Sequence, residues 1–169
     1  GCNIHTKDGR NMKKTNVERI LDQQKLVYEV MHYEVTDGKI DGVSVAEKVG
    51  KNPAEVFKTL VTMGHSHSLY VFLIPVADTL DMKKAAKACG EKSIEMLAVK
   101  DLEKYTGYIR GGCSPVGMKK KYRTFIHESI KNEVYITVSA GKIGSQIRLN
   151  PEKLAQVTDT VFADLVQNG

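Results

Sequence analysis

The segment GYIRGGCSPVGMKKK at 107–121 gathers two glycines (Gly111, Gly112), a thiol (Cys113), a hydroxyl (Ser114), Pro115 and three lysines (Lys119, Lys120, Lys121). Two chemistries fit those residue types. Cys113 can serve as a nucleophile if a base or a positive field draws off its proton. No His or Asp is adjacent in sequence to do that. Alternatively, Gly111 and Gly112 let the backbone approach a ligand and aim N–H donors at it, with Pro115 stiffening the turn. Ser114 then donates a hydrogen bond or simply caps the turn. The composition favours the second reading, because a nucleophile needs neither paired glycines nor a proline.

Lys58 stands in the apolar run Phe57-Lys58-Thr59-Leu60. Strand alternation puts Lys58 and Leu60 on one face and Phe57 and Thr59 on the other. An unpaired buried ammonium is expensive, so Lys58 either faces solvent or points into a cleft where an anion meets it. Gly141-Lys142-Ile143-Gly144-Ser145 lacks the spacing of a phosphate loop and leads into a strand. It reads first as a hairpin turn in which glycine supplies positive φ. Its functional version has Lys142 and the turn's amides lining a pocket. His65 and His67, two apart in a polar loop without a third ligand nearby, read as exposed, so no metal is expected.

The elements that must carry these residues follow from local pattern. Thr15 with Glu18 makes a capping box for a helix bearing Val17, Ile20 and Leu21. Strands are expected at 28–35, 56–63 and 69–76, the last almost wholly apolar as in a central strand. A short helix runs 44–49 before Gly50, and Asp81 caps another that ends at Gly90. A short strand at 93–97 and a helix at 99–105 lead into the glycine loop. Strands follow at 123–126, 134–138 and 146–149. Asn150-Pro151 opens a last helical segment carrying Leu154, Val157, Val161, Phe162 and Leu165. Connections range from hairpin-sized to helix-sized, which indicates a mixed α/β (α+β) domain rather than a regular doubly wound one.

The chain has 169 residues, 41% of them hydrophobic, enough for one domain with a real core. Residues 1–11 are polar and irregular, and read as a leader or a cloning scar without order of its own; the domain is then 12–169. No apolar run nears the roughly 20 residues that span a bilayer, and no secretory signal is visible, so a cytoplasmic protein is expected. A net charge of +5 permits a polyanionic partner without requiring one. From charge alone, Lys119–Lys121 with Arg123 is a solvated turn. Three scattered cysteines, with no CxxC pair, support neither a zinc ribbon nor a redox dithiol.

Four linked segments are more specific: VFKTLV (56–61), LIPVADTLDMKKAAKACG (73–90), TGYIRGGCSPVGMKKK (106–121) and YITVSAGKIGSQIRLNPEKL (135–154). In order and spacing, over roughly residues 13–166, the chain resembles the YbaK/EbsC family. These proteins are free-standing relatives of the editing domain inserted in bacterial prolyl-tRNA synthetases. The resemblance implies a mixed, partly barrel-like sheet flanked by helices, and a pocket for the aminoacyl end of tRNA. It implies hydrolysis of a mischarged aminoacyl-tRNA, Cys-tRNA(Pro), with no cofactor. Lys58 matches the family's active-site lysine. Gly111, Gly112, Cys113, Ser114 and Pro115 match its G-x-x-x-P loop, where the amides at 112–114 would hold the ester carbonyl. Gly141 and Gly144 match a GKxG turn beside the pocket, and Tyr33 matches a pocket tyrosine of some members. Lys119, Lys120 and Lys121 would lie along the tRNA acceptor stem, and prolyl-tRNA synthetase is a candidate partner. One departure is Gln146, where some cysteine-editing members carry an aspartate; an amide does not titrate. That keeps editing of another amino acid, such as alanine on the same tRNA, open beside a catalytically silent regulatory role.

Overall fold

The computed structural model describes residues 13–168. The expected leader at 1–11, with Cys2, lies outside the described residues. Helix α1 (Asn16–Gln23) starts with the anticipated box: the Glu18 N–H reaches the Thr15 hydroxyl, and the Thr15 N–H reaches the Glu18 carboxylate (2.6 Å). Strand β1 (Tyr28–His32) follows, and then α2 (Gly42–Val49), which Asp41 caps two residues earlier than the helix expected from 44. The hairpin β2 (Phe57–Gly64) and β3 (Leu69–Pro75) leads to α3 (Met82–Cys89), β4 (Ile94–Met96) and α4 (Val99–Thr106). After the glycine loop come β5 (Arg123–His127), a 3-10 turn (Glu128–Asn132), β6 (Ile136–Ser139), β7 (Ser145–Leu149), α5 (Pro151–Thr158) and β8 (Thr160–Ala163).

The strands form two sheets, in the orders β1-β7-β6 and β4-β2-β3-β5-β8. The first is antiparallel throughout. In the second, β3 runs antiparallel to β2 and parallel to β5, and β5 runs parallel to β8. Both sheets are open-ended, so the partly barrel-like sheet expected from the resemblance is not what forms. They meet at one parallel bridge, Val56 with Thr137.

Two cores explain the apolar run of β3. Val71 and Leu73 face the core shared with the smaller sheet, where Val17, Leu21, Ile136, Val138, Ile147 and Leu154 collect. Tyr70, Phe72 and Ile74 face the other way, onto α3 through Ala85 and Cys89. Phe72 stacks on Phe125 of the neighbouring strand, ring centres 5.4 Å apart. A strand buried on both faces needs no polar alternation.

The expected final helix is corrected. It stops at Thr158, whose hydroxyl bonds back to the Leu154 carbonyl (2.8 Å), and Asp159 takes a left-handed φ of 52°. The β-branched pair Thr160-Val161 then continues as β8, pairing with β5. Val161, Phe162 and Leu165 therefore belong to a strand and its exit. Among the described residues no helix is long and apolar enough to cross a membrane.

Candidate functional site

A cleft of about 720 Å³ opens where the two sheets meet. One wall is the start of β2, including Phe57, Lys58, Thr59 and Leu60. A second is the segment leading into α2 with that helix's first turn, including Ile40, Asp41 and Val43. Arg110, Gly111 and Cys113 of the glycine loop close a third side, with Tyr33, Ser139 and Gln146 also lining the space.

Of the two orientations open to Lys58, it takes the cleft. Among the described residues no hydrogen bond or ion pair holds its amine. Burial pulls its pKa below the ordinary lysine value, and the field of Asp78 partly offsets that. An ammonium in that state favours an anionic ligand. Two further groups in the cleft are unsatisfied: the Tyr33 hydroxyl and Thr59 Oγ1 are both buried with no hydrogen-bond partner among the described residues. Leaving a buried hydroxyl unpaired costs about 1–3 kcal/mol.

The glycine loop and the 141–144 turn are built as one unit. Gly111 sits at φ +88°, a conformation that favours glycine. Gly112 is required for a different reason. A Cβ there would lie 3.0 Å from the Ile143 amide nitrogen and 3.0 Å from Lys142 Cα. The two backbones therefore touch through a missing side chain. The Gly112 N–H is already bonded to the Ile109 carbonyl (3.0 Å), so it is not available to a substrate carbonyl as the family resemblance implied. Ser114 is fully buried and its hydroxyl accepts the Val116 N–H (3.3 Å), which is the turn-capping alternative.

Cys113 lines the cleft, but burial pushes its thiol up to about 12, above what the Thr106 hydroxyl can offset. It is protonated at neutral pH and no activating base accompanies it. The other sequence candidates divide. Tyr33, Lys58, Gly111, Cys113 and Gln146 line the cleft together. Pro115 sits behind the loop in a smaller hollow of about 220 Å³ shared with Lys120 and Lys121. Lys119, Lys120 and Lys121 are exposed. Gly141, Lys142 and Gly144 are not in the cleft wall; Lys142 is exposed beside Gly112, and the Gly144 carbonyl fixes Tyr33 by accepting its N–H (2.9 Å).

Sequence reasoning missed Thr59, Ser139 and Arg110. Thr59 gave a signal of sorts, a hydroxyl on a strand otherwise apolar beside Lys58. Arg110 was visible as the one charge inside the glycine loop. No group of three His, Cys, Asp or Glu side chains among the described residues could hold a metal. His127 is buried, with Nδ1 accepting the Leu165 N–H (3.1 Å).

In chemical terms the site joins a cation and two unpartnered hydroxyls to an apolar wall formed by residues such as Val45, Val56, Phe57 and Val76. It suits a small side chain carried on an anionic, hydroxyl-bearing group. It offers no activated nucleophile of its own.

Comparison with known proteins agrees with that description. Residues 41–157 match the family model described as the aminoacyl-tRNA editing domain. An Enterococcus faecalis protein (strain ATCC 700802 / V583) that bears the name "Putative Cys-tRNA(Pro)/Cys-tRNA(Cys) deacylase EbsC" is 44% identical over 156 residues, covering 92% of this chain and 95% of that protein. A solved structure described as "a putative trans-editing enzyme for prolyl tRNA synthetase" superposes with a TM-score of 0.78 at 21% identity, covering 92% of this chain and all (100%) of the other. A second, described only as a hypothetical protein, gives a TM-score of 0.82 at 18% identity over 90% of this chain and 100% of its own. At those identities the two structures speak for the fold alone.

Proposed function

The chain belongs to the aminoacyl-tRNA editing domain family, and from that premise we propose that it is a free-standing deacylase that clears cysteine from tRNA(Pro). The observation that carries this is the state of Lys58: an unpaired, partly buried ammonium in a cleft that also holds the unpartnered hydroxyls of Tyr33 and Thr59. Lys58 pairs with the terminal phosphate of the RNA or orients the ribose. The apolar wall takes the amino-acid side chain. The ester is already activated, so positioning and electrostatic help suffice.

No enzyme nucleophile is needed. The cysteinyl thiol attacks its own ester carbonyl, the bond to the ribose oxygen breaks, and the thiol proton passes to that oxygen. Water then opens the cyclic thioester to free cysteine. The amide of Cys113, rather than that of Gly112, is the loop's donor toward the carbonyl. Lys119, Lys120 and Lys121 lie along the acceptor stem, where phosphate contacts make binding weaken with salt. The enzyme works in the cytoplasm, and prolyl-tRNA synthetase is the partner that would supply tRNA selectivity.

The test is hydrolysis of cysteinyl- and alanyl-tRNA(Pro) by the wild type and by Lys58→Ala. Wild type should deacylate the cysteinyl substrate, and Lys58→Ala should lose at least a hundredfold while keeping its fold by circular dichroism. A full rate in Lys58→Ala sinks the role given to Lys58. Gln146 in the cleft wall favours a second reading, alanine as the amino acid removed. Preference for the alanyl substrate would establish it, and hydrolysis of neither would leave a binding or regulatory member of the family.

A further inference from the structure

We propose that Arg110 and Lys142 form a two-cation clamp at the cleft mouth that grips the phosphodiesters of the single-stranded nucleotides preceding the terminal one. This rests on the deacylase reading and extends it from the aminoacyl end to the RNA strand behind it.

The first observation is that both cations are without a partner. Elsewhere the surface pairs many of its charges: Lys14 with Asp22, Lys48 with Asp37 and Lys84 with Asp164. Arg110 and Lys142 are exposed, and among the described residues neither has an ion pair, side-chain hydrogen bond or ring contact. The carboxylate in the cleft wall, Asp41, accepts from the Ser44 N–H (3.1 Å) and hydroxyl (2.7 Å) as a helix cap.

The second observation is placement. Arg110 belongs to the cleft wall itself, on the loop, while the cation inside the cleft is Lys58. Lys142 issues from the turn whose backbone abuts Gly112, two residues from Arg110. The Ile109–Gly112 hydrogen bond brackets Arg110, and the close approach at Gly112 fixes the turn against it. The two side chains are long and solvated, but their attachment points are locked to one another. A strand that runs from Lys58 out along the glycine loop meets both cations.

The third is chemistry. A guanidinium binds phosphate through two parallel hydrogen bonds, and an ammonium binds it as a point charge. One of each, on adjoining loops, suits successive phosphates of an extended strand rather than one isolated anion. Ile109, half exposed on the same turn, offers apolar surface to a base. A basic groove with flanking apolar surface is how proteins hold single strands without reading sequence.

The experiment compares wild type with Arg110→Ala/Lys142→Ala on two substrates. One is an aminoacylated stem-loop RNA with a single-stranded 3′ tail; the other is the aminoacyl ester of adenosine, which lacks those phosphates. The double variant should raise KM for the RNA about tenfold with kcat unchanged. Its salt dependence should flatten by about 0.7 in log–log slope for each phosphate no longer neutralised. The rise in KM for the adenosine ester should be clearly smaller than that for the RNA, and Arg110→Lys should recover part of the RNA affinity. An unchanged KM for the RNA overturns the clamp. Equal damage to both substrates also overturns it, because the pair would then be supporting the site rather than holding the strand. If wild type hydrolyses neither substrate, the deacylase reading fails by itself. The clamp is then judged on binding of an uncharged single-stranded RNA with the same 3′ end, where equal affinity in wild type and double variant refutes it and about tenfold weaker binding in the variant upholds it.

Discussion

Arg148 on β7 grips both oxygens of Glu55, with Nε to Oε2 at 2.8 Å and Nη2 to Oε1 at 3.0 Å. The Thr137 hydroxyl donates to the same carboxylate (2.7 Å), and the Thr137 N–H donates to the Glu55 carbonyl (2.8 Å). Glu55 immediately precedes Val56, the residue at which the two sheets bridge, and lies three residues before Lys58. The network therefore pins the seam that sets where Lys58 emerges. Arg148→Met leaves a buried carboxylate with one partner fewer, and should destabilise the fold by about 3 kcal/mol. The pH dependence identifies the cause. Burial pushes the Glu55 carboxyl up, but the Arg148 fork and the Thr137 hydroxyl outweigh it and hold the pKa below the usual glutamate value. A depressed carboxyl contributes stability that is present above its unfolded pKa and lost as pH falls through the folded one. Urea midpoints should thus differ most between wild type and Arg148→Met near neutrality and converge below about pH 4. A gap that stays constant down to that pH would contradict the assignment.

Gly112 and Lys142 carry the next prediction. Ala at 112 must push against the turn's backbone at 3.0 Å, and backbone cannot rotate away as a side chain can. Gly112→Ala should lower stability by about 1–3 kcal/mol and reduce deacylation at least tenfold, since it separates the two halves of the cleft mouth. Gly38, at φ +73° but with open space around its Cα, is the control: Gly38→Ala should cost only the backbone strain of about 1 kcal/mol. A loss at Gly112 no larger than that at Gly38 would contradict the close approach of the two backbones.

Local rules read much of this molecule, and the failures have physical causes. The Thr15 capping box, the Asp81 cap, the Gly50 and Gly90 stops and the doubly buried β3 are all decided by neighbours in sequence, so the pattern showed them. The end of α5 was not legible. Phe162 and Leu165 continue an apolar period, and only the parallel pairing of β8 with β5, distant in sequence, turns them into strand. The site divides along the same line. Tyr33, Lys58, Gly111 and Gln146 were named because motifs carry them, and the fold assembles them in one cleft. Thr59 and Arg110 went unnamed because what distinguishes them, an orphaned hydroxyl and an unpaired guanidinium at a cleft, exists only once the sheets have met. The amide of Gly112 was misjudged because its engagement with Ile109 is a property of the folded turn.

Cys113 is the residue that most invites a wrong experiment. With its thiol pushed up to about 12 by burial, it presents almost no thiolate at neutral pH. Cys113→Ala should keep at least half of the deacylation rate and cost roughly 1 kcal/mol through the small cavity it leaves against the main core. In wild type, iodoacetamide at about pH 7.5, roughly a unit below the pKa of a free thiol, should modify Cys113 far more slowly than free cysteine. Loss of turnover in a folded Cys113→Ala protein, or rapid alkylation that abolishes activity, would restore the nucleophile.

Lys58 should set an alkaline limit on catalysis. Burial lowers its pKa from the ordinary lysine value, and the field of Asp78 opposes this without cancelling it. The free enzyme therefore loses the ammonium at a lower pH than an exposed lysine would. A phosphate bound against Lys58 favours the charged form, so the pKa rises again in the complex. These two statements split the kinetic constants. The ratio kcat/KM reports the free enzyme and should fall as pH rises through the lowered pKa, whereas kcat reports the complex and should hold to higher pH. Rates must be taken net of the spontaneous ester hydrolysis that hydroxide causes. Lys58→Arg keeps a cation to above about pH 12; whatever activity it retains should show no such fall in kcat/KM. A wild-type alkaline limb that persists unchanged in Lys58→Arg would assign the titration to another group and remove the ammonium of Lys58 from substrate binding.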